Sequence, residues 1–127
     1  MTIRAVQRVS LSVSDQDRAK RFYVDVLQFG LISDVPVPWG PSSSRWLEVA
    51  PHGADTTVVL GNWFPVAPGG GMGLMLESTD IVNDIESLRS RGVHVEGPVR
   101  TPWGLQAAFV DPDGNPLVLV EPVVARR

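Results

Sequence analysis

Hydrophobic and polar residues alternate along several short stretches of this chain, and along two longer stretches they recur about every 3.6 residues. Alternation over residues 5–13 predicts a strand with two unlike faces. Ser14 then precedes an amphipathic pattern that ends before Gly30, so we expect Ser14 to cap a helix. The apolar stripe of that helix consists of Ala19, Phe22, Tyr23, Val26 and Leu27.

Three more strands complete the first half of the chain. Their apolar patterns lie at residues 31–35, 45–50 and 56–60, with a loop rich in Pro and Ser at 36–44. A second loop, at 62–72, is rich in Gly and Pro and separates the two halves of the chain. The first half therefore has the predicted order β-α-β-β-β.

The second half repeats this order. A strand at 73–78 leads to Thr79, which we expect to cap a helix that ends at Gly92. A short strand at 93–95 and a turn at 98–102 follow. Two such modules are the main organisational feature of the chain.

The clearest local signal is the turn Asp111-Pro112-Asp113-Gly114-Asn115, which lies between two apolar runs. Pro fixes φ, and Asp-Gly supplies a residue that tolerates positive φ. Residues 104–121 therefore predict a β-hairpin, which supplies the last two strands of the second module.

The composition limits which cellular compartment and which kinds of partner we expect for the protein. The chain has 127 residues, no cysteine and a net charge of −3. A disulfide framework or a thiolate metal site is therefore excluded, and neither nucleic acid nor a membrane is an expected partner. No apolar run approaches the length of a membrane span, and the first residues form no apolar segment of the signal-peptide kind, so we expect no secretion signal. We expect a cytoplasmic protein with a single domain over residues 1–127.

Several fragments in this order resemble the vicinal oxygen chelate superfamily, which includes glyoxalase I, extradiol dioxygenases and bleomycin-resistance proteins. The fragments are Val9-x-Leu11-x-Val13-x-Asp15, Phe22-Tyr23-x-x-x-Leu27, Gly92-Val93, Pro102-Trp103-Gly104 and Asp111-Pro112-Asp113-Gly114-Asn115-Pro116. The resemblance implies an α+β fold, the glyoxalase/bleomycin-resistance fold. Two βαβββ modules, at about 5–61 and 73–121, would pair into a cupped mixed sheet that holds a ligand. It also implies a homodimer.

Enzymes of that superfamily hold a divalent metal on four cup-facing side chains. By resemblance, those positions fall here on Arg8, Val59, Gly73 and Val118. Val and Gly have no donor side chain, and the fixed cation of Arg8 would repel a dication. We therefore expect no metal and no other cofactor.

Two further groups of possible ligands are His94 with Glu96 and His52 near Asp55. Two ligands do not make a site that needs three or four. We expect these side chains to be solvated strand and turn residues.

Side chains alternate between the two faces of a strand, so residues an even number of positions away from the four superfamily metal positions should also face the cup. The resulting lining is mainly apolar with a few polar groups, which is typical of a small-molecule pocket. Four tryptophans, mostly in loops, offer faces that can stack on a planar ligand. The candidate ligand-binding residues are Arg8, Ser10, Trp39, Trp46, Val59, Trp63, Gly73, Met75, Glu77, Trp103, Gln106 and Val118.

Arg8 and Glu77 each have two interpretations. Arg8 pairs either with a carboxylate or phosphate of the ligand, or with Glu77. Glu77 is either the partner of Arg8 or a general base whose pKa is raised by an apolar pocket.

Together these features favour a metal-free binding protein of the bleomycin-resistance type, which sequesters a hydrophobic or partly planar molecule. One alternative is a metal-independent lyase or isomerase that uses Glu77 as its base. Another is a glyoxalase-like or dioxygenase-like metalloenzyme with non-standard ligands.

The end of the first helix departs from the family pattern. The repeat aligns Gly30 with Gly92, and the superfamily usually has Leu-Gly-Phe where this chain has Leu27-Gln28-Phe29. We expect Gln28 to strain the end of the helix.

Overall fold

The structure is a computed structural model that describes residues 1–39 and 43–123, so part of the predicted loop at 36–44 lies outside the described residues. The chain divides into two compact units, Met1–Gly70 (unit 1) and Gly71–Arg127 (unit 2). Each unit has the order β-α-β-β-β, and its four strands form one mixed sheet. The predicted α+β class with two βαβββ modules is confirmed.

Unit 1 packs one helical segment on its sheet. Its elements are β1 (Arg8–Ser12), α1 (Gln16–Lys20) with a π-helical continuation (Arg21–Val26), β2 (Gly30–Pro36), β3 (Arg45–Ala50) and β4 (Thr57–Gly61). The strand order is β1-β4-β3-β2, in which β1 and β4 are parallel. The buried Gln16 side chain ties α1 to the sheet, because its Nε2 donates to the carbonyls of Arg45 and Leu60 at 2.7 and 2.8 Å.

Unit 2 has the equivalent arrangement. Its elements are β5 (Leu74–Glu77), α2 (Ile81–Ser90), β6 (Glu96–Thr101), β7 (Gly104–Val110) and β8 (Pro116–Pro122). The strand order is β5-β8-β7-β6, in which β5 and β8 are parallel. Ile81, Ile85 and Leu88 on one face of α2 are buried.

The prediction for β6 was wrong. Residues 93–95 do not form a strand, and the predicted turn at 98–102 is mostly strand. Pro98 is tolerated there because β6 is an edge strand, and its pairing with β7 is irregular between Glu96 and Val99. A residue without an N–H is accepted at such a bulge, where no ladder hydrogen bond has to be made.

Both helices are capped one residue later than predicted. Asp15, not Ser14, caps α1, and Asp80, not Thr79, caps α2. Each carboxylate accepts a backbone N–H three residues further on, at 3.1 Å for Asp15 and 3.2 Å for Asp80. A carboxylate at this position also interacts favourably with the positive end of the helix dipole, which a hydroxyl does not.

Gln28 and Gly92 occupy the same place in the two units, immediately after the residue that caps the helix C-terminus. Both have left-handed backbones, with φ of 60° at Gln28 and 84° at Gly92. The sequence alignment of Gly30 with Gly92 was therefore wrong, because Gln28 fills the position where a glycine is usual. The expected strain at Gln28 is seen in its positive φ.

The predicted hairpin around residues 111–115 is confirmed, and a buried carboxylate organises its turn. Asp111 Oδ1 accepts the backbone N–H of Asp113 and of Asn115, both at 2.9 Å, and Oδ2 accepts Asn115 Nδ2 at 2.9 Å. Gly114 adopts the positive φ that the Asp-Gly pair predicted. The turn fixes the register in which β7 and β8 present their side chains.

Candidate functional site

Strand register in unit 1 places several of the predicted site residues on one face of the sheet. Arg8 lies opposite Thr57, and Ser10 lies opposite Val59, across the parallel pair β1 and β4. Glu48 of β3 also lies opposite Val59. This face carries no helix of the same unit, and we call it the helix-free face of unit 1. The predicted parity of β1 and β4 is therefore correct.

Glu48 is the residue that sequence analysis missed. Its side chain is only 7% exposed, and it accepts three hydrogen bonds. Thr57 Oγ1 donates to it at 2.7 Å, Trp46 Nε1 at 2.8 Å and Arg8 Nε at 3.2 Å. The sequence did contain a signal for this contact, because Glu48 follows Trp46 by two residues within the predicted strand 45–50. Residues i and i+2 lie on the same face of a strand.

Burial alone would raise the pKa of Glu48, because it disfavours the charged carboxylate. The hydrogen bonds from Thr57, Trp46 and Arg8, together with the charge of Arg8, outweigh burial and hold the pKa of Glu48 below its ordinary value. Glu48 is therefore an anion at neutral pH.

Arg8 joins this carboxylate to the aromatic residues. Its Nε donates to Glu48 at 3.2 Å, its Nη1 donates to Gln7 Oε1 at 2.6 Å, and its Cζ lies 5.8 Å from the ring centroid of Trp46. That distance suits a cation–π contact. Arg8 thus pairs with Glu48 within unit 1, a partner that neither interpretation of Arg8 included. The Arg8 side chain is 41% exposed, so part of the guanidinium faces solvent.

Three tryptophans that are distant in the sequence meet beside Arg8, and we call Trp39, Trp46 and Trp63 the tryptophan cluster. Trp46 and Trp63 are nearly parallel, with ring centroids 6.3 Å apart and an interplanar angle of 29°. Trp39 meets each of them edge-on at 6.5 Å. The pairs have the offset and edge-to-face geometries that aromatic quadrupoles favour.

Gly61, at the end of β4, makes room for the rings at the edge of the cluster. A Cβ built there would lie 2.6 Å from Phe64 Cε2 and 3.1 Å from Trp63 Cη2. Phe64 packs on Trp63 with ring centroids 5.0 Å apart. The absence of a side chain at residue 61 therefore lets the loop after β4 place its aromatic rings against the sheet.

A second set of charges in unit 1 lies on the helix side and is structural. Asp34 accepts Lys20 Nζ at 2.9 Å and Arg45 Nε at 2.7 Å, and Arg45 also pairs with Asp17 at 2.9 Å. Burial opposes ionisation of Asp34, but its hydrogen bonds with Lys20 and Arg45 hold its pKa below the ordinary value. These ion pairs join the first helix to β2 and β3.

Unit 2 holds the other predicted site residues, and three of them, Met75, Glu77 and Trp103, line a cavity. Met75 lies opposite Val118, and both Glu77 and Gln106 lie opposite Val120, so all share the helix-free face of unit 2. A concave space of about 590 Å³ is lined by Met75, Leu76, Glu77, Trp103, Val120, Pro122 and Val123.

Among the predicted site residues of unit 2, Glu77 and Gly73 differ from expectation. Glu77 is exposed, so the burial that was expected to make it a base is missing. Trp103 lines the cavity and donates from Nε1 to Gln106 Oε1 at 3.1 Å. Gly73 precedes β5 instead of lying in it, and its φ is 111°.

The four positions at which the superfamily's enzymes bind a metal do not fit one in this chain. Val59 and Val118 lie within strands and offer only hydrocarbon, Gly73 offers no side chain, and Arg8 is already paired with Glu48. Within residues 1–39 and 43–123, no three His, Asp or Glu side chains are grouped so as to hold a metal ion.

The outlying pair His94 and Glu96 lies on the surface. Their side chains are 3.5 Å apart, and both are exposed, although His94 is not in a strand as expected. His52 and Asp55 are also exposed and lie in the turn between β3 and β4. Neither pair belongs to the tryptophan cluster or lines the cavity of unit 2.

Over the part of the chain that the structure describes, neither helix has the length and apolar character that crossing a membrane requires.

The chain belongs to the Glyoxalase/Bleomycin resistance protein/Dioxygenase superfamily, whose family model matches residues 5–119. It is 50% identical to TnmS3, an antibiotic binding protein from Streptomyces sp. CB03234, whose crystal structure superposes with a TM-score of 0.90 over 96% of this chain and 98% of that one.

Two further relatives have less specific descriptions. A glyoxalase/bleomycin resistance protein from the same Streptomyces strain is 50% identical, with a TM-score of 0.82 over 90% of this chain and 97% of its own. The uncharacterized protein YetH of Bacillus subtilis (strain 168) is 35% identical over 125 residues, which is 94% of this chain and 99% of YetH.

Proposed function

We propose that this protein binds a small, hydrophobic, partly planar molecule at the tryptophan cluster of unit 1 and sequesters it without a metal. The observation that carries the proposal is the meeting of three indoles beside a partly exposed guanidinium on one face of one sheet. Indole faces supply apolar area and favourable stacking, and the few polar groups fix orientation. The similarity to an antibiotic binding protein supports a ligand of antibiotic type.

Binding of a planar probe tests the proposal. Anthracene-2-carboxamide has an emission of its own, so its fluorescence anisotropy rises on binding whichever tryptophan is replaced. We expect saturable binding that Trp39→Ala weakens by roughly tenfold through lost stacking and burial. Trp103→Ala in unit 2 is the matched control, because Trp39 and Trp103 are 51% and 58% exposed.

The two variants also locate the site. Weakening by Trp103→Ala alone would move the site to the cavity of unit 2. Absence of saturable binding to the unaltered protein would refute the proposal for planar ligands.

A second candidate function is metal-independent turnover in unit 2. The feature that favours it is Glu77, which lines the cavity of about 590 Å³ beside Met75 and Trp103. Its exposure weakens its case as a general base. If Glu77 abstracts a proton, Glu77→Gln should abolish product formation from any candidate substrate and leave binding at the tryptophan cluster unchanged.

Elemental analysis tests the metal-free part of the proposal. Protein purified without chelators, and also after incubation with zinc, nickel, manganese or iron(II), should hold well below one metal ion per chain after gel filtration. Stoichiometric metal would instead favour a metalloenzyme with non-standard ligands.

A second copy of the chain is the proposed macromolecular partner, and the cytoplasm is the proposed compartment. Exposed apolar side chains of unit 2, such as Met75, Val99 and Trp103, would be covered by association. Light scattering should return twice the 13.8 kDa of one chain, and the mass of one chain would contradict the dimer. Fractionation of expressing cells tests the compartment.

A further inference from the structure

We infer that Glu48 determines the charge preference of the site: by neutralising Arg8, it makes the tryptophan cluster select uncharged planar ligands over anionic ones of the same shape. The inference rests on the proposed function and names the class of ligand. It also replaces the expectation that Arg8 binds a carboxylate or phosphate.

The charges on the helix-free face of unit 1 support this inference. Among the strand residues of unit 1 that share this face, Arg8 and Glu48 are the two that carry a charge. Arg45 and Asp34 lie on the other face, where they pair with each other. A ligand on the tryptophan cluster therefore meets a guanidinium whose positive charge is cancelled by a carboxylate 3.2 Å away.

The burial of Glu48 and its hydrogen bonds hold its carboxylate in position beside Arg8. Three donors hold the carboxylate, and its side chain is 7% exposed, so an incoming anion does not readily displace it from Arg8. An anionic ligand would lose hydration against the indoles. It would gain only the attraction of a cation that is already paired, and the nearby carboxylate would repel it.

Arg8 nevertheless remains a hydrogen-bond donor. A guanidinium has five N–H groups, and the contacts with Glu48 and Gln7 each use one nitrogen. Because the side chain is 41% exposed, the remaining N–H groups can donate to an uncharged acceptor such as a carbonyl or a hydroxyl oxygen. The arrangement thus favours a neutral aromatic molecule that carries an oxygen acceptor at its edge.

Two probes of the same shape test the inference. Anthracene-2-carboxamide and anthracene-2-carboxylate differ in charge, and both can be followed by fluorescence anisotropy. The unaltered protein should prefer the amide. Glu48→Gln keeps one acceptor oxygen for Trp46 Nε1, and its amide nitrogen can donate to the Thr57 hydroxyl. The substitution removes the negative charge beside Arg8, so the ratio of the two dissociation constants should shift toward the carboxylate by roughly tenfold.

Arg8→Gln supplies a second variant that does not depend on Glu48→Gln folding. It leaves the carboxylate of Glu48 without its cation, so binding of anthracene-2-carboxylate should fall more than binding of the amide. Glu86→Gln is the matched control, because it removes an exposed carboxylate on α2 of unit 2 that belongs to neither candidate site, and it should leave the ratio unchanged. Thermal unfolding of each variant verifies that it is folded.

The outcomes separate the inference from the proposed function. Preference of the unaltered protein for the carboxylate, or an unchanged ratio in a folded Glu48→Gln or Arg8→Gln variant, overturns the inference and leaves ligand binding standing. Failure of the unaltered protein to bind either compound refutes the proposed function, and the inference falls with it.

Discussion

The two units share one strand order but differ in how they cover the helix-free faces of their sheets. In unit 1, Glu48 and Val59 lie on that face and are buried, and Trp46 and Arg8 both contact the Glu48 carboxylate. In unit 2, Met75 and Val99 on the equivalent face are exposed. The same backbone topology thus supports a filled aromatic surface in one unit and an open apolar one in the other. Loops contribute much of the difference, since Trp39 and Trp63 both lie outside strands and pack against Trp46 of β3.

The largest expected change in unfolding free energy comes from comparing the β-hairpin turns of the two units. Asp111→Ala in unit 2 removes a buried acceptor of three hydrogen bonds, one of them from the Asn115 side chain, so we expect a loss of about 3 kcal/mol in unfolding free energy. Asp55→Ala, at an exposed position in the turn of unit 1, should change it by less than about 0.5 kcal/mol. Urea denaturation measures both. Equal effects would mean that the Asp111 network contributes little.

The next effect compares two glutamates that share equivalent faces. Glu48→Ala leaves Arg8 and the Thr57 hydroxyl without their acceptor, so it should cost about 2 kcal/mol. Glu77→Ala should cost less than about 0.5 kcal/mol, because Glu77 is exposed. Urea denaturation of the two variants, compared directly, checks the difference. An unchanged unfolding free energy in Glu48→Ala would contradict a structural role for the buried carboxylate.

A smaller effect compares the helix ends. Gln28→Gly should raise the unfolding free energy by up to about 1 kcal/mol, because glycine adopts a left-handed backbone without a Cβ penalty. Gly92→Ala should lower it by a similar amount, since no neighbouring atom lies within 4 Å of an added Cβ and only the positive φ opposes it. Thermal unfolding tests the opposite signs. Changes of the same sign would refute the equivalence of the two positions.

The smallest expected effect is the acid sensitivity that Glu48 gives to unit 1. Its folded-state pKa lies below the ordinary value of 4.5. The stability it contributes is therefore fully present above that pH and is lost as the pH falls through the lower, folded-state pKa. Urea denaturation at about pH 7 and about pH 3 should show a smaller acid-induced loss in Glu48→Gln than in the unaltered protein. An identical loss in the two proteins would contradict the assignment.

The fold was predictable where local rules determine it. The turn at 111–115 needs the particular properties of Asp, Pro and Gly, and alternation assigned correct faces to β1, β4, β5 and β8. The position of β6 was not predictable in the same way. Pro98 indicates a break in a strand unless the strand is known to lie at the edge of its sheet, as β6 does.

The candidate site was predictable in part. The tryptophans were identified one by one, but their convergence depends on the pairing of distant strands, which no local pattern encodes. Glu48 was not predicted because none of the four superfamily metal positions falls on β3, although the spacing from Trp46 to Glu48 places both side chains on one face of that strand. The pairing of Arg8 with Glu48 was not predicted for the same reason.

The near-parallel stacking of Trp46 and Trp63 also has a spectroscopic consequence. Two indoles held with centroids 6.3 Å apart and at a fixed angle couple their electronic transitions, which should give a paired positive and negative band in the circular dichroism of the aromatic region. Trp103 belongs to unit 2 and lies far along the chain from both. The coupled signal therefore reports on unit 1 alone. Comparing its loss during unfolding with the loss of total secondary structure shows whether unit 1 and unit 2 unfold at the same time.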